Sequence, residues 1–295
     1  MEKLKLGIIG LSEGNGHPYS WSAIFNGYNP EYMKDCGFPV ISEYLSKKRF
    51  PEDCIQNANV THIWTQDKKI SELVCKASNI PNISDKPDEM IGKIDAVLLA
   101  RDDSKKHFEM AKPFIDAGLP IYIDKPLATT LEEANKIYAL EKYEGQIFTC
   151  SALGYEPHLT DNQKDIGEIR YIDAHMIKDW EKYSIHIIEP SLRQFDYTQN
   201  IVNVTVNDFK NCKSVVVNWE NGLTTSFKTL HDAYCGASVC VYGTKGKKEF
   251  NFPDTFITFK SALTQFIDIL QKKKKNDSKA ITLKAIEIVE RGNNG

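Results

Sequence analysis

The chain has 295 residues, of which 41% are apolar and 26% are charged, and its formal net charge at pH 7 is −3. This apolar content supports a sizeable core and excludes a disordered chain, and 37 basic against 40 acidic residues exclude the basic character of a dedicated nucleic-acid binder. No apolar run approaches the roughly 20 residues of a membrane-spanning helix, and the N-terminal residues show no signal-peptide core. We therefore expect a cytoplasmic protein with neither a nucleic acid nor a membrane as partner.

The spacing of cysteines and histidines does not indicate a metal. The seven cysteines are scattered, odd in number and include no CxxC pair, which is typical of a protein in a reducing compartment. No spacing such as H-x-x-x-H is found among His62, His158, His175 and His231. The sequence therefore predicts that no metal is bound.

The first half of the chain alternates apolar strands with helices. Strands are predicted over 4–9, 60–67, 94–100, 120–124 and 146–153, and helices from Pro18 onward and over 68–78, 105–117 and 131–143. The polar, proline-broken stretch over 29–58 indicates an insertion with short helices. Alternation of this kind is typical of right-handed βαβ units in a parallel sheet.

Strands dominate the second half. They are predicted over 168–177, 201–209, 214–230 and 237–252, with hairpin turns at 221–222 and 244–246. We therefore expect an open, mostly antiparallel sheet, and two helices then close the chain, over 261–275 and 279–290.

A glycine-rich turn joins the first strand to the first helix. The string G-L-S-E-G-N-G-H runs from Gly10 to His17, and Pro18 then opens the helix. Glycines let the backbone approach a pyrophosphate, and the free N–H groups of a helix start point at an anion, so this order favours a phosphate site. The spacing departs from G-x-G-x-x-G because Ser12 stands at the second glycine, and an ordinary βα turn remains the alternative. His17 is interpreted as a capping or packing residue.

The end of the second strand bears on the choice between NAD and NADP. A dinucleotide-binding sheet places Asp or Glu there to hold the ribose 2′-hydroxyl of NAD. Thr65 occupies this position and is followed by Gln66 and Asp67, so the acid is missing or shifted. Lys68 and Lys69 would suit a 2′-phosphate, which tilts the prediction slightly to NADP, although lysines in a first helical turn are more often only solvated.

A lysine follows the predicted strand over 120–124. Lys125 stands directly after Asp124 and before Pro126. At the carboxyl end of a parallel strand this lysine would project into the crevice where ligands bind. On periodicity alone, a strand-end lysine that pairs with Asp124 and reaches solvent is the simpler interpretation.

Five stretches, KLGIIG, DAVLLARDDSKKH, AGLPIYIDKPLATT, GEIRYIDA and VYGTKGKKEF, occur in this order along the chain. Together they resemble the Gfo/Idh/MocA oxidoreductases, the family of glucose–fructose oxidoreductase and inositol dehydrogenase. Asp124-Lys125-Pro126 is similar to the family's E-K-P, and His107 to the histidine after its cofactor-contacting loop.

The resemblance implies an α/β protein in two domains. A doubly wound Rossmann domain over 1–124 would bind NAD or NADP, and an α/β domain over 125–295 with a large, open, mostly antiparallel sheet would bind substrate and form homo-oligomers. The implied reaction is hydride transfer between the nicotinamide and a sugar, a sugar derivative or a cyclitol. The implied cofactor-binding residues are Gly10, Ser12, Gly14, Asn15, Gly16, Thr65, Ala100, Arg101, His107, Asp124 and Lys125.

The family's catalytic histidine lies in a D-x-G-x-H-x-x-D pattern, to which K-Y-S-I-H-I-I-E is similar. His186 matches the histidine and Glu189 the last acid, whereas Lys182 replaces the family's Asp and Ser184 its Gly. Aromatic faces and carboxylates near this motif suit a hydroxylated ring. The predicted substrate-contacting residues are Tyr155, Trp180, Tyr183 and Glu189.

Oxidation of a carbinol removes a hydride from carbon and a proton from oxygen. Histidine supplies a base with a pKa near neutral, and a lysine beside it stabilises the developing alkoxide charge. Lys125 and His186 are therefore the predicted catalytic pair, expected to meet over the nicotinamide. From the residues alone, a helix-face His186 capped by Glu189 is the alternative.

Two other functions stay open. The departures at Ser12, Thr65 and Lys182 favour a cofactor-binding sensor or regulatory protein with a degraded catalytic site, since a fold does not fix a function. A non-redox enzyme that uses bound NAD internally, such as a glycosidase of this family, is the third candidate. Turnover of reduced cofactor separates the oxidoreductase from both.

Overall fold

Six parallel strands make the first sheet of the computed structural model, which describes residues 2–161 and 165–294. These strands are β1 (Leu4–Ile9), β2 (Ala58–Trp64), β3 (Asn82–Ile83), β4 (Ala96–Leu99), β5 (Ile121–Ile123) and β6 (Ile147–Phe148). Their order across the sheet is β3-β2-β1-β4-β5-β6, and neighbouring strands are parallel.

This strand order creates a switch point between β1 and β4. After β1 the chain moves outward to β2 and β3, and it then returns to β4 on the other side of β1. Ligands of such sheets bind outside the carboxyl ends of the strands at the switch point. Gly10 and Ala100, which follow β1 and β4, therefore mark the edge at which a ligand is expected.

Helices alternate with the strands of the first sheet and flank those of the second. In the described residues they are α1 (His17–Asn26), α2 (Pro30–Met33), α3 (Pro39–Ser46), α4 (Lys68–Ala77), α5 (His107–Asp116), α6 (Leu131–Tyr138), α7 (His158–Asp161), α8 (Trp180–Tyr183), α9 (Ile185–Leu192), α10 (Thr255–Leu270) and α11 (Ser278–Asn293). None of these helices combines the length and the apolar character that crossing a bilayer requires.

The ends of α1 and α4 follow from local sequence. Pro18 lies in the first turn of α1, where its missing N–H costs nothing, and Gly27 ends the helix at φ +72 with its N–H bonded to the Ala23 carbonyl. Asp67 caps α4, because its side chain accepts a hydrogen bond from the amide of Lys69.

The second sheet is mixed and mostly antiparallel. Its strands are β7 (Ile169–Met176), β8 (Ile201–Phe209), β9 (Cys212–Trp219), β10 (Thr224–Thr229), β11 (Ser238–Gly243) and β12 (Lys247–Asn251). In the order β12-β11-β7-β10-β9-β8, β7 and β10 pair in parallel and the other neighbours are antiparallel. The predicted fold class, a doubly wound parallel sheet followed by an open and mostly antiparallel one, is confirmed.

Helices cover one face of the second sheet. Ile172, Val217 and Phe227 point from β7, β9 and β10 into a core completed by Ile188 of α9 and Val289 of α11. On β7 the burial alternates, with Ile172 and Ala174 buried and the residues between them partly exposed. This period of two is that of a sheet packed on one face.

Several predicted elements differ in extent from the observed ones. The strand predicted over 146–153 contains two strand residues, because a 3-10 turn begins at Ala152. The helix predicted over 131–143 ends at Tyr138. No helix was predicted where α7 and α8 form, since these helices are too short for a clear helical period, and α9 corresponds to the alternative interpretation of a helix-face His186.

The chain forms two units that are discontinuous in sequence. The first comprises Met1–Leu127, Lys136–Thr149 and Ala262–Asn276, and the second Ala128–Asn135, Cys150–Ser261 and Asp277–Gly295. The late segment joins the first unit because Phe266 packs on Tyr122 and Phe148, with ring centroids 5.7 and 5.8 Å apart. The predicted second domain, 125–295, includes Lys136–Thr149 and Ala262–Asn276, which belong to the first unit. The boundary after residue 124 as a division between cofactor binding and substrate binding stays a prediction.

Candidate active site

A buried polar cluster lies at the carboxyl ends of β1 and β4. The Ser12 hydroxyl lies 2.7 Å from Asp102 Oδ1 and accepts a hydrogen bond of 3.1 Å from the Asp102 amide. The ammonium group of Lys125, which follows β5, lies 3.8 Å from Asp102 Oδ2. All three side chains are buried, so the charges of Lys125 and Asp102 are held near each other away from bulk water.

Asp124 extends this cluster toward the glycine-rich turn. Its Oδ2 accepts a hydrogen bond of 2.9 Å from the side-chain amide of Asn15 and lies 2.5 Å from Nδ1 of His17, and its Oδ1 accepts one of 2.8 Å from the amide of Lys125. Burial alone would raise the pKa of Asp124, but the interactions with His17, Lys125 and Asn15 outweigh it and hold that pKa well below its usual range. Asp124 is therefore a permanent buried anion at neutral pH.

The glycine-rich turn is shaped by close packing at one end and by an unusual backbone at the other. A Cβ on Gly10 would come within 2.2 Å of Pro18 Cγ, so no larger residue fits there without rearrangement. Gly14 has φ +73, and a Cβ on it would meet nothing within 4 Å. The turn is thus tight at Gly10 and open above Gly14, which fits the approach of a pyrophosphate to the backbone.

The start of α1 does not offer the free N–H groups that the sequence predicted. The amide of His17 is bonded to Asn15 Oδ1, Pro18 has no N–H, and the amides of Tyr19 and Ser20 both donate to the carbonyl of Gly16. This part of the prediction is wrong, because Asn15 and Pro18 use up the helix start. A pyrophosphate would instead be held by the turn backbone and by side chains such as Ser12.

Gln66 and Arg101 hold Leu11, the second residue of the turn, in place. The Gln66 carboxamide donates to the Leu11 carbonyl at 2.5 Å and accepts from the Leu11 amide at 3.0 Å. The Arg101 guanidinium donates to Gln66 Oε1 at 3.0 Å and forms two bonds to Asp103, of 2.9 and 2.6 Å. Arg101, predicted to contact the cofactor, therefore holds the turn through Gln66 and has its charge balanced by Asp103.

The side chains of Thr65, Asp67 and Lys68 form hydrogen bonds or an ion pair with nearby residues. The Thr65 hydroxyl lies 2.6 Å from the carbonyl of Asp67 and 2.8 Å from the hydroxyl of Ser71. Asp67 caps α4, and the Lys68 ammonium group lies 3.0 Å from Asp85. Lys68, one of the two lysines predicted to suit a 2′-phosphate, is thus an exposed partner of a carboxylate.

His107 supports the loop that follows β4. Its ring is fully buried, with Nδ1 2.9 Å from the carbonyl of Leu127 and Nε2 2.7 Å from that of Arg101. Both ring nitrogens thus face backbone carbonyls and fix the loop, and the predicted contact of His107 with a cofactor stays a prediction. Ala100 contributes backbone, since its amide donates to Ile9 and its side chain is buried.

In the second unit, His186 lies beside a serine and a tyrosine. Its Nδ1 is 2.8 Å from the Ser151 hydroxyl, and its ring centroid is 6.1 Å from that of Tyr183. The Lys178 ammonium group donates to the Tyr183 hydroxyl at 3.0 Å. A hydroxyl can donate or accept, so Ser151 places the His186 ring without deciding which nitrogen carries the proton.

Glu189 is buried in an ion pair one helical turn beyond His186. Its Oε1 lies 2.9 Å from the Arg193 guanidinium, and its Oε2 accepts a hydrogen bond of 2.5 Å from the Ser151 amide. Burial raises the pKa of Glu189, and Arg193 and Ser151 offset only part of that rise. Arg193 also lies over the ring of Tyr155, 4.3 Å from its centroid. Glu189 and Tyr155, both predicted to contact substrate, are thus joined through Arg193.

Trp180 is a core residue. It is 4% exposed, its indole N–H donates to the carbonyl of Val289 at 3.0 Å, and a Cβ on Gly292 would come within 2.5 Å of its ring. The prediction that its face meets a substrate is therefore wrong, because α11 already covers that face. Tyr183 keeps part of its surface exposed, as a substrate contact requires.

The structure brings the predicted residues together in two groups. Ser12, Asn15, Asp124 and Lys125 share one hydrogen-bonded cluster in the first unit, and Tyr183 and His186 are neighbours in the second. The predicted meeting of Lys125 and His186 over a nicotinamide stays a prediction.

Sequence reasoning missed the residues that complete these groups. Asp102 and Ser151 each come just after a strand of the parallel sheet, and this is the signal that drew attention to Lys125. Arg193 stands four residues after Glu189, the spacing of a helical ion pair. The contact between His17 and Asp124 spans 107 positions and has no sequence signal.

The chemistry of the first group fits a nicotinamide dinucleotide and offers little to a metal. Ser12, Asn15 and Lys125 supply hydroxyl, amide and ammonium donors at the switch point, beside an open glycine turn. Within the described residues, no group of three or more His, Cys, Asp or Glu side chains is arranged to hold a metal ion.

Comparison with known proteins agrees with this class of fold. Residues 42–151 match the model of an oxidoreductase family with an NAD-binding Rossmann fold, the Gfo/Idh/MocA family. An uncharacterized oxidoreductase of Escherichia coli K12, YhhX, is 33% identical over 92 residues, which are 31% of this chain and 26% of that relative. The match thus spans about a quarter of that relative's length.

Solved structures share the fold along nearly the whole chain. Scyllo-inositol dehydrogenase from Lactobacillus casei superposes with a TM-score of 0.73 at 14% identity, covering 99% of this chain and 96% of that one. Myo-inositol 2-dehydrogenase from Lactobacillus plantarum gives 0.72 at 15% identity, covering 99% and 97%. GenD2 from gentamicin A biosynthesis, solved with NAD, gives 0.74 at 13% identity, covering 100% and 94%.

The fold and the cluster at the switch point are those of a Rossmann-type protein with a second, open-sheet α/β unit. The resemblance to the Gfo/Idh/MocA oxidoreductases that the sequence motifs predict is confirmed.

Proposed function

We propose that the protein is an oxidoreductase that transfers a hydride between a nicotinamide dinucleotide and a small hydroxylated substrate, namely a sugar, a sugar derivative or a cyclitol. The observation that carries this proposal is the buried cluster of Ser12, Asp102, Asp124 and Lys125 at the carboxyl ends of β1, β4 and β5. A lysine buried at that edge is costly unless it serves a ligand or a partner charge.

Each residue of the cluster has a role in this proposal. When bound, the nicotinamide supplies the hydride acceptor or donor. Lys125 holds the substrate hydroxyl and stabilises developing negative charge on its oxygen. Asp102 holds the Lys125 ammonium group in place, since the two groups lie 3.8 Å apart. Ser12 and the backbone near Gly14 hold the pyrophosphate.

A histidine accepts the hydroxyl proton in the oxidation direction, and His186 is the candidate from the sequence. Lys125→Met and His186→Ala test both assignments, with turnover and cofactor binding measured on each variant. Loss of a general base should reduce the rate by about 10²–10⁴-fold and leave cofactor affinity largely intact. If both variants keep the wild-type rate, the catalytic assignment is wrong.

The substrate class rests on the structural neighbours and on the second unit. Two of those neighbours are inositol dehydrogenases by name, which favours a ring rich in hydroxyl groups. Tyr183, Lys178 and His186 form a partly exposed set of an aromatic face with donors, suited to such a ring. A panel of sugars, uronates and cyclitols tested with each oxidised cofactor identifies the substrate.

For the cofactor we keep the slight preference for NADP. No carboxylate stands at Thr65, and Asp67 accepts a hydrogen bond from the Lys69 amide as the cap of α4, so neither residue is committed to the ribose 2′-hydroxyl of NAD. Lys69 remains a candidate for that phosphate, whereas Lys68 pairs with Asp85. NADPH should bind at least as tightly as NADH in calorimetric titrations, and a clear preference for NADH would contradict this.

A cofactor-binding sensor is the second candidate. The observation that favours it is that Lys182 stands where the family pattern has an acid, while Nδ1 of His186 lies 2.8 Å from the hydroxyl of Ser151. Cofactor binding without turnover across the substrate panel would support the sensor and exclude the oxidoreductase.

We also propose that the outer face of the second sheet joins copies of the chain. Tyr171 and Tyr242 are exposed on neighbouring strands of that sheet, with ring centroids 6.2 Å apart. Analytical ultracentrifugation tests this, because Tyr171→Lys together with Tyr242→Lys should convert an oligomer into a monomer.

A further inference from the structure

A pocket of about 680 Å³ lies at the edge of the parallel sheet opposite to the candidate active site. Pro120 and Gly145 line it, and they stand just before β5 and β6. Lys125 comes after β5, so the pocket and the buried polar cluster lie at the two ends of the same strand. Every residue that lines the pocket belongs to the first unit. The pocket is therefore a separate place within that unit.

Four consecutive lysines at the end of α10 line this pocket. The ammonium groups of Lys273 and Lys274 lie 3.9 and 3.4 Å from the carboxylate of Asp268. That of Lys275 lies 3.1 Å from the carboxylate of Glu144. Two carboxylates thus stand against four ammonium groups, which leaves an excess of two positive charges beside the pocket. A cleft lined by charges of one sign attracts ligands of the other sign.

Lys272 occupies a backbone position that glycine normally fills. Its φ is +57, in the left-handed region. Its amide donates to the Ile269 carbonyl and the amide of Lys273 donates to the Asp268 carbonyl, both at 2.9 Å, which is the hydrogen-bond pattern of a Schellman helix end. A residue with a Cβ is disfavoured in this conformation, so glycine would be the more stable choice.

The fold gives little reason for a lysine at this position. The side chain of Lys272 is exposed, and within the described residues it forms no ion pair. A positive charge at a helix end complements the helix dipole, but the three lysines that follow already supply it. Backbone strain of this kind persists where a side chain serves a function. Lys272 is therefore best explained by a ligand of its ammonium group.

The rest of the lining describes the body of that ligand. Tyr143 lines the pocket with 46% of its surface exposed, beside the partly exposed apolar side chains of Ile269 and Leu270. These side chains suit a flat ring. A phosphate monoester carries a charge of about −1.5 to −2 at neutral pH, which matches the excess of positive charge, whereas a carboxylate carries only one. A concave site of this volume fits a small molecule.

We propose that this pocket binds a small phosphate monoester carried on a flat ring, of the kind represented by a mononucleotide. The ammonium group of Lys272 contacts the phosphate, with the other three lysines adding to the attraction. The ring of the ligand stacks on Tyr143. This site is distinct from the place of the nicotinamide dinucleotide, which lies at the other end of β5.

The test titrates adenosine 5′-monophosphate into the full-length protein and follows the amide NMR signals. The signals of residues 143–145 and 272–276 should shift. The dissociation constant read from them should rise about tenfold in Lys272→Gln, because a charged hydrogen bond to the phosphate is lost. Adenosine, which has no phosphate, should leave these signals unmoved. Tyr143→Ala should weaken binding about fivefold or more through lost stacking.

Lys47→Gln is the matched control. It removes an exposed lysine of the first unit that also has a carboxylate partner, Glu43 at 2.8 Å, and it should keep the wild-type affinity. Shifts confined to residues 10–17 would place the nucleotide at the glycine-rich turn alone and overturn the proposal. An unchanged affinity in Lys272→Gln would overturn it too, as would binding of the protein to phosphatidylserine vesicles without binding of the nucleotide.

A second variant separates the ligand from the fold. Lys272→Gly removes the backbone strain, so it should raise the urea midpoint of unfolding while it weakens nucleotide binding as much as Lys272→Gln does. A lower midpoint in Lys272→Gly would show that the lysine serves the fold, and it would overturn the proposal. None of these readouts depends on redox turnover, so a failure of the proposed function would not affect this site.

Discussion

The two units each bury a carboxylate beside a cation, and they shift its pKa in opposite directions. Asp124 of the first unit has its pKa held well below the usual range, whereas burial raises the pKa of Glu189 in the second. Both side chains are almost inaccessible to solvent. Burial is thus equal in the two places, and the difference comes from the partners.

Asp124 has more partners than Glu189, and they are of more kinds. His17, Lys125 and Asn15 together outweigh its desolvation. Glu189 interacts with Arg193 and the Ser151 amide, and these two partners do not outweigh its desolvation. A carboxylate that stays charged can orient a histidine and balance a lysine, as a catalytic site requires, whereas one that depends on a single cation is better explained as a structural link. The predictions below test this contrast.

The largest effect is expected from Arg193→Met. This substitution leaves Glu189 buried without its cation and removes the guanidinium stacked on Tyr155, so the free energy of unfolding should fall by about 3–5 kcal/mol. Urea denaturation at neutral pH measures it. Arg193→Lys keeps the charge and loses the planar stacking, and it should cost less. A loss under about 1 kcal/mol in Arg193→Met would show that Glu189 does not depend on this cation.

The next effect is expected from Gly10→Val. The added carbons would overlap Pro18, whose Cγ lies 2.2 Å from the position of a Cβ, so stability should fall by about 1–3 kcal/mol and dinucleotide binding should be lost. Gly14→Ala is the matched control, because it strains a residue at φ +73 without a close contact. If Gly10→Val binds dinucleotide as tightly as the wild type, the pyrophosphate lies elsewhere.

The glycine-rich turn shows what the sequence could and could not predict. Gly10, the strand before it and Pro18 after it are local, and their pattern predicted both the turn and its place in the sheet. The network that holds the turn is not local, since Leu11 bonds to Gln66 and Ser12 to Asp102. Hydrophobic periodicity carries no information on which polar side chains meet at the ends of different strands.

The second unit shows a different limit. Its strands were predicted closely, as for β8 over 201–209, because alternation with a period of two is strong in them. Trp180 was misplaced because an aromatic residue beside acidic ones looks the same whether it faces a ligand or the next helix. The low exposure of its ring and the approach of Gly292 on α11 show that its face is covered.

Acid titration should separate the two carboxylates. Because folding lowers the pKa of Asp124, this residue stabilises the folded state at pH values above its unfolded pKa of about 3.9. The stabilisation is lost as the pH falls toward the folded pKa. The raised pKa of Glu189 has the opposite effect. The contribution of Glu189 to stability is complete below its unfolded pKa of about 4.3, and it is lost as the pH rises through its folded pKa. Each unit of pKa difference corresponds to about 1.4 kcal/mol.

The measurement is the free energy of unfolding as a function of pH. In Asp124→Asn, stability should fall less steeply as the pH drops below about 3.9. In Glu189→Gln, stability should fall less steeply as the pH rises above about 4.3. Gln keeps one oxygen for one of the two donors, Arg193 or the Ser151 amide, and turns its NH2 group toward the other, so the comparison uses the shape of the pH profile and not the absolute stability. Equal pH profiles for the two variants would contradict the contrast between the units.

The smallest effect is expected from Ser151→Ala, which tests whether His186 is held by a neutral partner alone. The Ser151 amide is anchored to Glu189, so alanine keeps the backbone in place and removes only the hydroxyl at 2.8 Å from His186 Nδ1. One neutral hydrogen bond contributes about 0.5–1.5 kcal/mol, so stability should fall by that amount and Ser151→Thr should restore it. In a double-mutant cycle with His186→Ala, the two losses should be less than additive. A fall of more than about 3 kcal/mol in the free energy of unfolding would indicate a charged hydrogen bond at His186. The two units would then differ less than the opposite pKa shifts of their carboxylates suggest.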